Sequence, residues 1–178
     1  MENNSAKAQW VRATVESYEG SLIRYAASIT GDFERARDVV QDTFVRLCAE
    51  TPSHLDGRLA EWLFTVCRNR ALDMQRKEKR MIALNEMDLE KRESAEPSPS
   101  LAAEQKESAA RILNLVAALP PNQSEVIRLK FQSDLSYEEI SRVTSLSASN
   151  VGFLIHTGIK TLRQKIQSET KNELRRAL

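Results

Sequence analysis

The chain has 178 residues, of which 41% are hydrophobic and 29% charged, as in soluble globular proteins. With 5 Gly and 5 Pro among many Ala, Leu, Arg and Glu residues, the composition favours a mostly helical fold. The net charge is only +1, and the sequence has neither an apolar run of about 18 residues nor a secretion signal, so we expect a cytoplasmic protein without a membrane span.

Three helical patterns occupy the first 80 residues. In the first, over 8–30, apolar residues recur every three or four positions until Gly31 interrupts them. The second covers 33–50, and a loop with Pro52 and Gly57 follows it. The third runs from 59 to 80 and allows a break within it.

Residues 83–108 differ in composition from the segments on either side. They carry seven Asp or Glu against three Lys or Arg, few large apolar residues, and both Pro97 and Pro99. Such a composition is typical of a flexible linker. We therefore predict an all-α protein with two small helical domains, 1–85 and 106–178, joined by a flexible acidic linker over 86–105.

Four helical patterns follow the linker. The first two, over 110–119 and 122–134, are separated by two prolines, and the first has an apolar face of Ile112, Leu115, Val116 and Leu119. Ser136 and Glu139 have the spacing of a capping box, which predicts that a short helix begins at Tyr137. After a turn of three residues, Ser147 is expected to cap the last and longest helix.

The last two helices have the lengths and the turn of a helix-turn-helix motif. On a helical wheel, the inner stripe of the second helix is Val151, Ile155, Gly158, Ile159, Leu162 and Ile166. Its outer stripe is Ser149, Phe153, His156, Thr157, Lys160 and Gln164. In a DNA-binding motif this outer stripe contacts bases and phosphates in the major groove, where Phe153 could pack on a thymine methyl group. The alternative is that Phe153 packs on another helix, and the spacing alone does not decide.

A second set of candidate nucleic-acid contacts lies on the third helix of the first domain. Trp62 and Asn69 are two helical turns apart on one face, which Asp73 and Arg76 continue. An aromatic ring, an amide and cations suit an unstacked base of single-stranded nucleic acid. The alternatives are core packing for Trp62 and a capping or surface position for Asn69.

A third candidate surface lies on the preceding helix. Asp38, Gln41 and Asp42 share a polar face at steps of three and four within an acidic segment. Such a face fits a basic partner surface, or it is simply solvated.

Four motifs occur in order along the chain: ARDVVQDTFVRL, EWLFTVCRNRALDMQR, LPPNQSEVIRLKF and LSYEEISRVTSLSASNVGFLIHTGIKTLRQKI. Their order, spacing and length strongly resemble a bacterial RNA polymerase sigma factor of the extracytoplasmic-function (ECF) type. The resemblance covers nearly the whole chain outside the linker. It implies a protein that binds core RNA polymerase and directs promoter-specific transcription initiation, without a cofactor and without enzymatic activity.

The resemblance also implies a role for each domain. Residues 1–85 would be sigma region 2, which binds the core polymerase and recognises and melts the minus-ten element. Residues 106–178 would be sigma region 4, whose helix-turn-helix recognises the minus-thirty-five element. An anti-sigma factor is a further expected partner, because one usually holds members of this family inactive.

The matching positions supply candidate residues for each surface. Those for core polymerase binding are Asp38, Gln41, Asp42 and Phe44. Those for the minus-ten DNA are Trp62, Asn69, Arg70, Asp73, Arg76 and Lys77. Those for the minus-thirty-five DNA are Ser149, Asn150, Gly152, Phe153, His156, Thr157, Lys160 and Arg163. Related proteins often carry Arg or Lys near positions 152, 154 and 157, where this chain has Gly, Leu and Thr, so we expect weak upstream binding.

Two other classes of protein compete with this interpretation. A stand-alone helix-turn-helix regulator would bind duplex DNA by itself, and it would have no use for a polymerase-docking helix or a single-strand pocket. An enzyme acting on nucleic acid would need clustered carboxylates or a nucleophile beside a base, and the sequence suggests neither. No metal site is expected, because Cys48 and Cys67 lie in apolar helical patterns and the two histidines lack ligand spacing.

Overall fold

The computed structural model describes residues 2–84 and 103–176. In these ranges the chain forms seven α-helices and one short 3-10 helix, without a β-strand. The chain divides into two compact units, residues 1–95 and 96–178. The predicted all-α class with two helical units is confirmed, and residues 86–102 of the predicted linker lie outside the described ranges.

Unit 1 is a three-helix arrangement in which each helix packs on the other two. Its elements are α1 (Glu2–Thr30), α2 (Phe33–Ala49), a 3-10 helix (Pro52–His54) and α3 (Leu59–Leu84). The third helical pattern is therefore one continuous helix. At the centre of the unit, the rings of Tyr25 and Phe64 meet edge to face with their centroids 5.4 Å apart.

The corner between α1 and α2 depends on two adjacent residues. Gly31 has a φ of +70°, a left-handed conformation that glycine adopts without steric cost and that ends α1. Asp32 then caps α2, because its carboxylate accepts a hydrogen bond of 2.9 Å from the amide of Arg35. The same arginine pairs with Glu78 on α3, so the corner is tied to the third helix.

Unit 2 consists of four helices, with the longest in contact with the other three. They are α4 (Ala103–Ala117), α5 (Pro121–Phe131), α6 (Tyr137–Thr144) and α7 (Ala148–Arg176). The start of α4 lies three residues before the predicted second domain. Pro121 occupies the first turn of α5, where its missing N–H leaves no hydrogen bond unmade.

One part of the core of unit 2 lies where α4, α5 and α7 meet. Val116, Leu119 and Ile127 are buried together, and Leu162 packs against them. Ile112 on α4 and Ile166 on α7 were placed on buried stripes, yet they are 53% and 42% exposed. Periodicity identifies the apolar face of a helix, but it does not say how far along the helix a neighbour covers that face.

Candidate nucleic-acid and partner interfaces

A complete capping box begins the helix-turn-helix of unit 2. The Ser136 amide donates to Glu139 Oε2 at 2.7 Å, and the Glu139 amide donates to Ser136 Oγ at 3.2 Å. Burial alone would raise the pKa of Glu139, but the hydrogen bonds from Ser136 and the charges of Arg142 and Lys130 together lower the pKa below the usual range. The predicted start of α6 at Tyr137 is confirmed.

The turn between α6 and α7 has the geometry that the motif requires. Ser145 ends α6 with a φ of +60°, and Ser141 Oγ donates to the Leu146 carbonyl across the turn at 2.5 Å. Ser147 Oγ accepts a hydrogen bond of 3.2 Å from the Asn150 amide, so it caps α7 as predicted.

The two stripes of α7 face opposite ways in its first three turns. Val151 and Ile155 are 0% and 3% exposed and belong to the core of unit 2. Phe153, between them in sequence, is 64% exposed, so the core does not use it. Ser149, Asn150, His156, Lys160 and Arg163 are also exposed.

Two candidate DNA contacts on α7, Gly152 and Thr157, are half-buried. Thr157 Oγ1 donates to the Phe153 carbonyl at 2.8 Å, which commits its proton to the helix and leaves the oxygen as an acceptor. Gly152 lies under the ring of Tyr137, since a Cβ atom at 152 would be 3.5 Å from Tyr137 Cε2. At this position the outer surface is therefore formed by a side chain of α6.

Tyr137 was not among the candidate residues, although it borders the exposed stripe. Its side chain is 43% exposed, and Lys130 Nζ lies 5.9 Å from the centre of its ring. The sequence feature that could have pointed to Tyr137 is the glycine at 152, because a glycine in a helix interior often makes room for a neighbouring group. Which neighbour uses that room depends on how α6 and α7 pack.

The predicted face of α3 is largely open. Trp62 is half-buried, which leaves part of its ring accessible, and Asn69 is exposed two turns further along. Asp73 and Arg76 are exposed and paired with each other at 2.9 Å, and Lys77 beside them is exposed. The face thus presents an aromatic edge, an amide and cations in one row.

Arg70, predicted to contact minus-ten DNA, is engaged elsewhere. Its Nε donates a hydrogen bond of 2.6 Å to Oδ2 of Asp42 on α2, a residue predicted to contact core polymerase. The two residues are 28 positions apart, so only the packing of α2 on α3 reveals the contact.

The predicted partner surface on α2 borders an apolar groove that the sequence interpretation missed. Asp38 and Gln41 are exposed, whereas Asp42 and Phe44 are half-buried. The groove, of about 460 Å³, lies between α1 and α2. Most of its lining is apolar, and the full set is Val11, Val15, Glu19, Ile23, Arg37, Val40, Gln41, Phe44, Val45 and Cys48. An available signal was the width of the apolar stripe, since adjacent residues such as Phe44 and Val45 cannot both face one core.

The two cysteines differ in environment. Cys67 is fully buried in unit 1, and this burial raises the pKa of its thiol to about 12. Cys48 is exposed at the groove instead of buried as its helical pattern indicated. Over 2–84 and 103–176, no three His, Cys, Asp or Glu residues are grouped to hold a metal ion. In the same ranges, no helix has both the length and the apolar character to cross a membrane.

Two family models match the chain, one to each unit. Sigma-70 region 2 matches residues 14–81, and Sigma-70 region 4 matches residues 109–162. The ECF RNA polymerase sigma factor SigM of Bacillus subtilis is 30% identical over 137 residues, which are 76% of this chain and 82% of SigM. This chain belongs to the ECF sigma factor family. It binds core RNA polymerase and directs promoter-specific transcription initiation.

Other relatives of this ECF sigma factor match most of its length, and two solved structures share its fold. SigL of Mycobacterium tuberculosis is 28% identical over 169 residues, which are 92% of each chain. The sigma factor RpoE of Bartonella quintana, solved with the anti-sigma factor NepR, has a TM-score of 0.64 at 23% identity, covering 88% of this chain and 96% of RpoE. CnrH, solved with the cytosolic domain of CnrY, has a TM-score of 0.62 at 22% identity, covering 94% of each chain. At these identities the solved structures show the shared fold.

Proposed function

We propose that the three surfaces described above divide the work of promoter recognition in this sigma factor. The outer stripe of α7 recognises the duplex minus-thirty-five element, and the open face of α3 recognises the melted minus-ten element. The acidic face of α2, with the groove beside it, binds core RNA polymerase. The anti-sigma factor in the RpoE structure supports a partner of that class for this chain, and dependence on RNA polymerase supports a cytoplasmic location.

One observation carries the assignment of α7. Phe153 is 64% exposed on the stripe that a helix-turn-helix presents to the major groove, while the opposite stripe is buried. An aromatic side chain there can pack on a thymine methyl group, and His156 one turn later can bond a base edge or a phosphate. Lys160 and Arg163 follow on the exposed side, where they can bind phosphates and fix the position of the helix.

This assignment is tested by the discrimination between matched and scrambled minus-thirty-five elements, measured as holoenzyme affinity for each promoter. Phe153→Ala and His156→Ala are each expected to reduce the discrimination by about 1–3 kcal/mol. Phe131→Ala is a matched control, because Phe131 on α5 is also an aromatic residue and is 63% exposed. The assignment is wrong if the wild-type holoenzyme binds both elements equally, or if the Phe131 variant loses as much discrimination as the Phe153 variant.

The assignment of α3 rests on the chemistry of its open face. Melting DNA costs stacking energy, and a protein can offset that cost by binding the unpaired base. The accessible part of Trp62 offers a stacking surface, and Asn69 offers a donor and an acceptor for a base edge. Lys77 extends the face with positive charge for the strand's phosphates, beside Arg76, which is paired with Asp73.

The assignment of α2 rests on charge and apolar surface that lie side by side. Asp38 and Gln41 are exposed next to a groove where Val45 is 64% exposed. Apolar contact supplies affinity, and the exposed carboxylate of Asp38 favours a basic partner.

The docking face is tested by titrating the full chain with purified core RNA polymerase. Asp38→Arg and Gln41→Ala are expected to weaken binding, while the thermal unfolding of the free protein stays the same. Unchanged affinity in both variants would rule out this face as the docking site.

A further inference from the structure

One ion pair joins the proposed polymerase-binding face of α2 to the proposed DNA-binding face of α3. Arg70 Nε and Asp42 Oδ2 are 2.6 Å apart, and the two side chains are 31% and 45% exposed. Over the described ranges, neither side chain has a second ionic partner. The two charges are therefore paired with each other in the free protein. In the proposed function, the surface of Asp42 faces core polymerase and the surface of Arg70 faces promoter DNA.

The pair lowers the charge that each surface can offer. With Arg70 bound, Asp42 contributes little attraction to a basic partner, and with Asp42 bound, Arg70 contributes little to a phosphate. A half-exposed pair is also weak, because water competes for both ions. A ligand that brings its own ordered charge can displace either member at small cost.

The packing of α2 on α3 has other contacts besides this pair. Arg35 and Glu78 form a second ion pair between the same two helices, one residue from each and about two turns away from the first pair. Leu63, Phe64 and Ala71 of α3 are fully buried in unit 1. The pair between Asp42 and Arg70 can therefore open while the helices stay in place.

We propose that docking of core RNA polymerase exchanges this ion pair. A basic group of the polymerase takes over Asp42, and Arg70 is released to bind a phosphate of the melted promoter strand. The inference rests on the proposed function, which assigns these two ligands to α2 and α3. It makes Arg70 a promoter contact of the holoenzyme and not of the free sigma factor.

A different role for the pair predicts an effect of opposite sign. If Arg70 served to orient Asp42 for the polymerase, its removal would weaken docking. If the pair is exchanged, removal of Arg70 strengthens docking, because the polymerase no longer competes with it for Asp42. The same removal weakens DNA binding by the holoenzyme, since one phosphate contact is lost.

The test compares Arg70→Gln with Arg12→Gln in the full chain. Arg12 is exposed on α1, and it is not among the residues assigned to either surface. Its variant removes the same charge as Arg70→Gln and therefore serves as the control. Core polymerase affinity is measured by titration in the wild-type and Asp42→Asn backgrounds. Holoenzyme affinity for a promoter fork with a single-stranded minus-ten region is measured at several salt concentrations.

Arg70→Gln is expected to tighten core binding about two- to five-fold, the range of a surface ion pair, and to give no gain in the Asp42→Asn background. In the holoenzyme, the slope of log affinity against log salt should become shallower by about 0.7, which corresponds to one single-strand phosphate. Arg70→Lys should keep the wild-type slope, because it keeps the charge.

Unchanged or weaker core binding by Arg70→Gln overturns the exchange, as does an equal gain in the Asp42→Asn background or an unchanged salt slope. Thermal unfolding of the variant confirms that it is folded. Gln41→Ala separates this failure from failure of the proposed function, because Gln41 lies on the docking face but not in the pair. If Gln41→Ala weakens core binding and Arg70→Gln does not tighten it, the docking face stands and only the exchange is wrong.

Discussion

Two glycines in α7, six residues apart, have different surroundings. A Cβ atom at Gly152 would lie 3.5 Å from the Tyr137 ring, an ordinary van der Waals contact at a half-buried position. A Cβ atom at Gly158 would lie 2.6 Å from Ile127 Cδ1 and 3.5 Å from Gln123 Cβ. Gly158 therefore makes room for the side chain of Ile127 on α5, whereas the backbone at Gly152 tolerates a methyl group.

Alanine substitutions at the two glycines are expected to differ in their effect on the free energy of unfolding. Gly152→Ala is expected to raise the free energy of unfolding by up to about 1 kcal/mol, because alanine favours the helix. Gly158→Ala gains the same helix propensity, but it requires the terminal methyl group of buried Ile127 to move, so we expect this variant to be less stable than Gly152→Ala. Urea unfolding of both variants measures the difference, and a Gly158 variant as stable as the Gly152 variant would contradict the close approach.

At the scale of elements, α6 is the shortest α-helix in the described ranges, and its first turn depends on local hydrogen bonds. Its eight residues leave few internal bonds, so the capping box supplies a large share of what defines the helix start. The turn that leads into α7 begins where α6 ends, so it depends on the position of α6. A defect in this cap should therefore affect both stability and upstream recognition.

Ser136→Ala is expected to lower the free energy of unfolding of unit 2 by about 1 kcal/mol at neutral pH, because the orphan amide of Glu139 loses its acceptor. The contribution of Glu139 depends on pH. Its pKa is lower in the folded state than in the unfolded chain, so its contribution is complete above the unfolded value of about 4.5 and disappears as the pH falls through the folded value. Urea unfolding at pH 7 and below pH 4 measures both effects, and Glu139→Gln is the control that should lack this part of the acid dependence.

At the scale of the whole molecule, the proposed contact residues are divided between two compact units. The candidate contacts on α7 carry only two positive charges at pH 7, Lys160 and Arg163. Since phosphate contacts supply most of the affinity of a DNA-binding protein, this unit is suited to discriminate between sequences more than to hold DNA. In a sigma factor, the bound polymerase supplies the remaining affinity.

The full chain without core polymerase is therefore expected to bind a duplex minus-thirty-five element only weakly, with a Kd in the range of about 10⁻⁴–10⁻⁶ M that is usual for non-specific contacts. Fluorescence anisotropy with a labelled duplex measures this affinity, and the holoenzyme on the same promoter is the comparison. Tight, sequence-specific binding by the free chain would contradict the expectation, because that is how a stand-alone regulator behaves.

The amino-acid sequence by itself determined the features that depend on neighbours along the chain. The capping box at Ser136, the cap at Ser147 and the buried and exposed sides of the first two turns of α7 follow from residues within one or two helical turns, and all three are confirmed. The four ordered motifs also led to the ECF sigma factor family, because motif order is a property of the sequence. The residues assigned to polymerase and DNA remain predictions, most of them on exposed positions.

Only the tertiary structure decided which distant residues meet. The ion pair of Asp42 with Arg70, the cover of Tyr137 over Gly152 and the groove between α1 and α2 each join two different helices. Periodicity fixes the direction in which a side chain leaves its own helix, but the neighbour it reaches depends on how the helices are offset and rotated against each other. That packing is set by the whole core at once, so Ile112, Ile166 and Cys48 are exposed although their local patterns are those of buried residues.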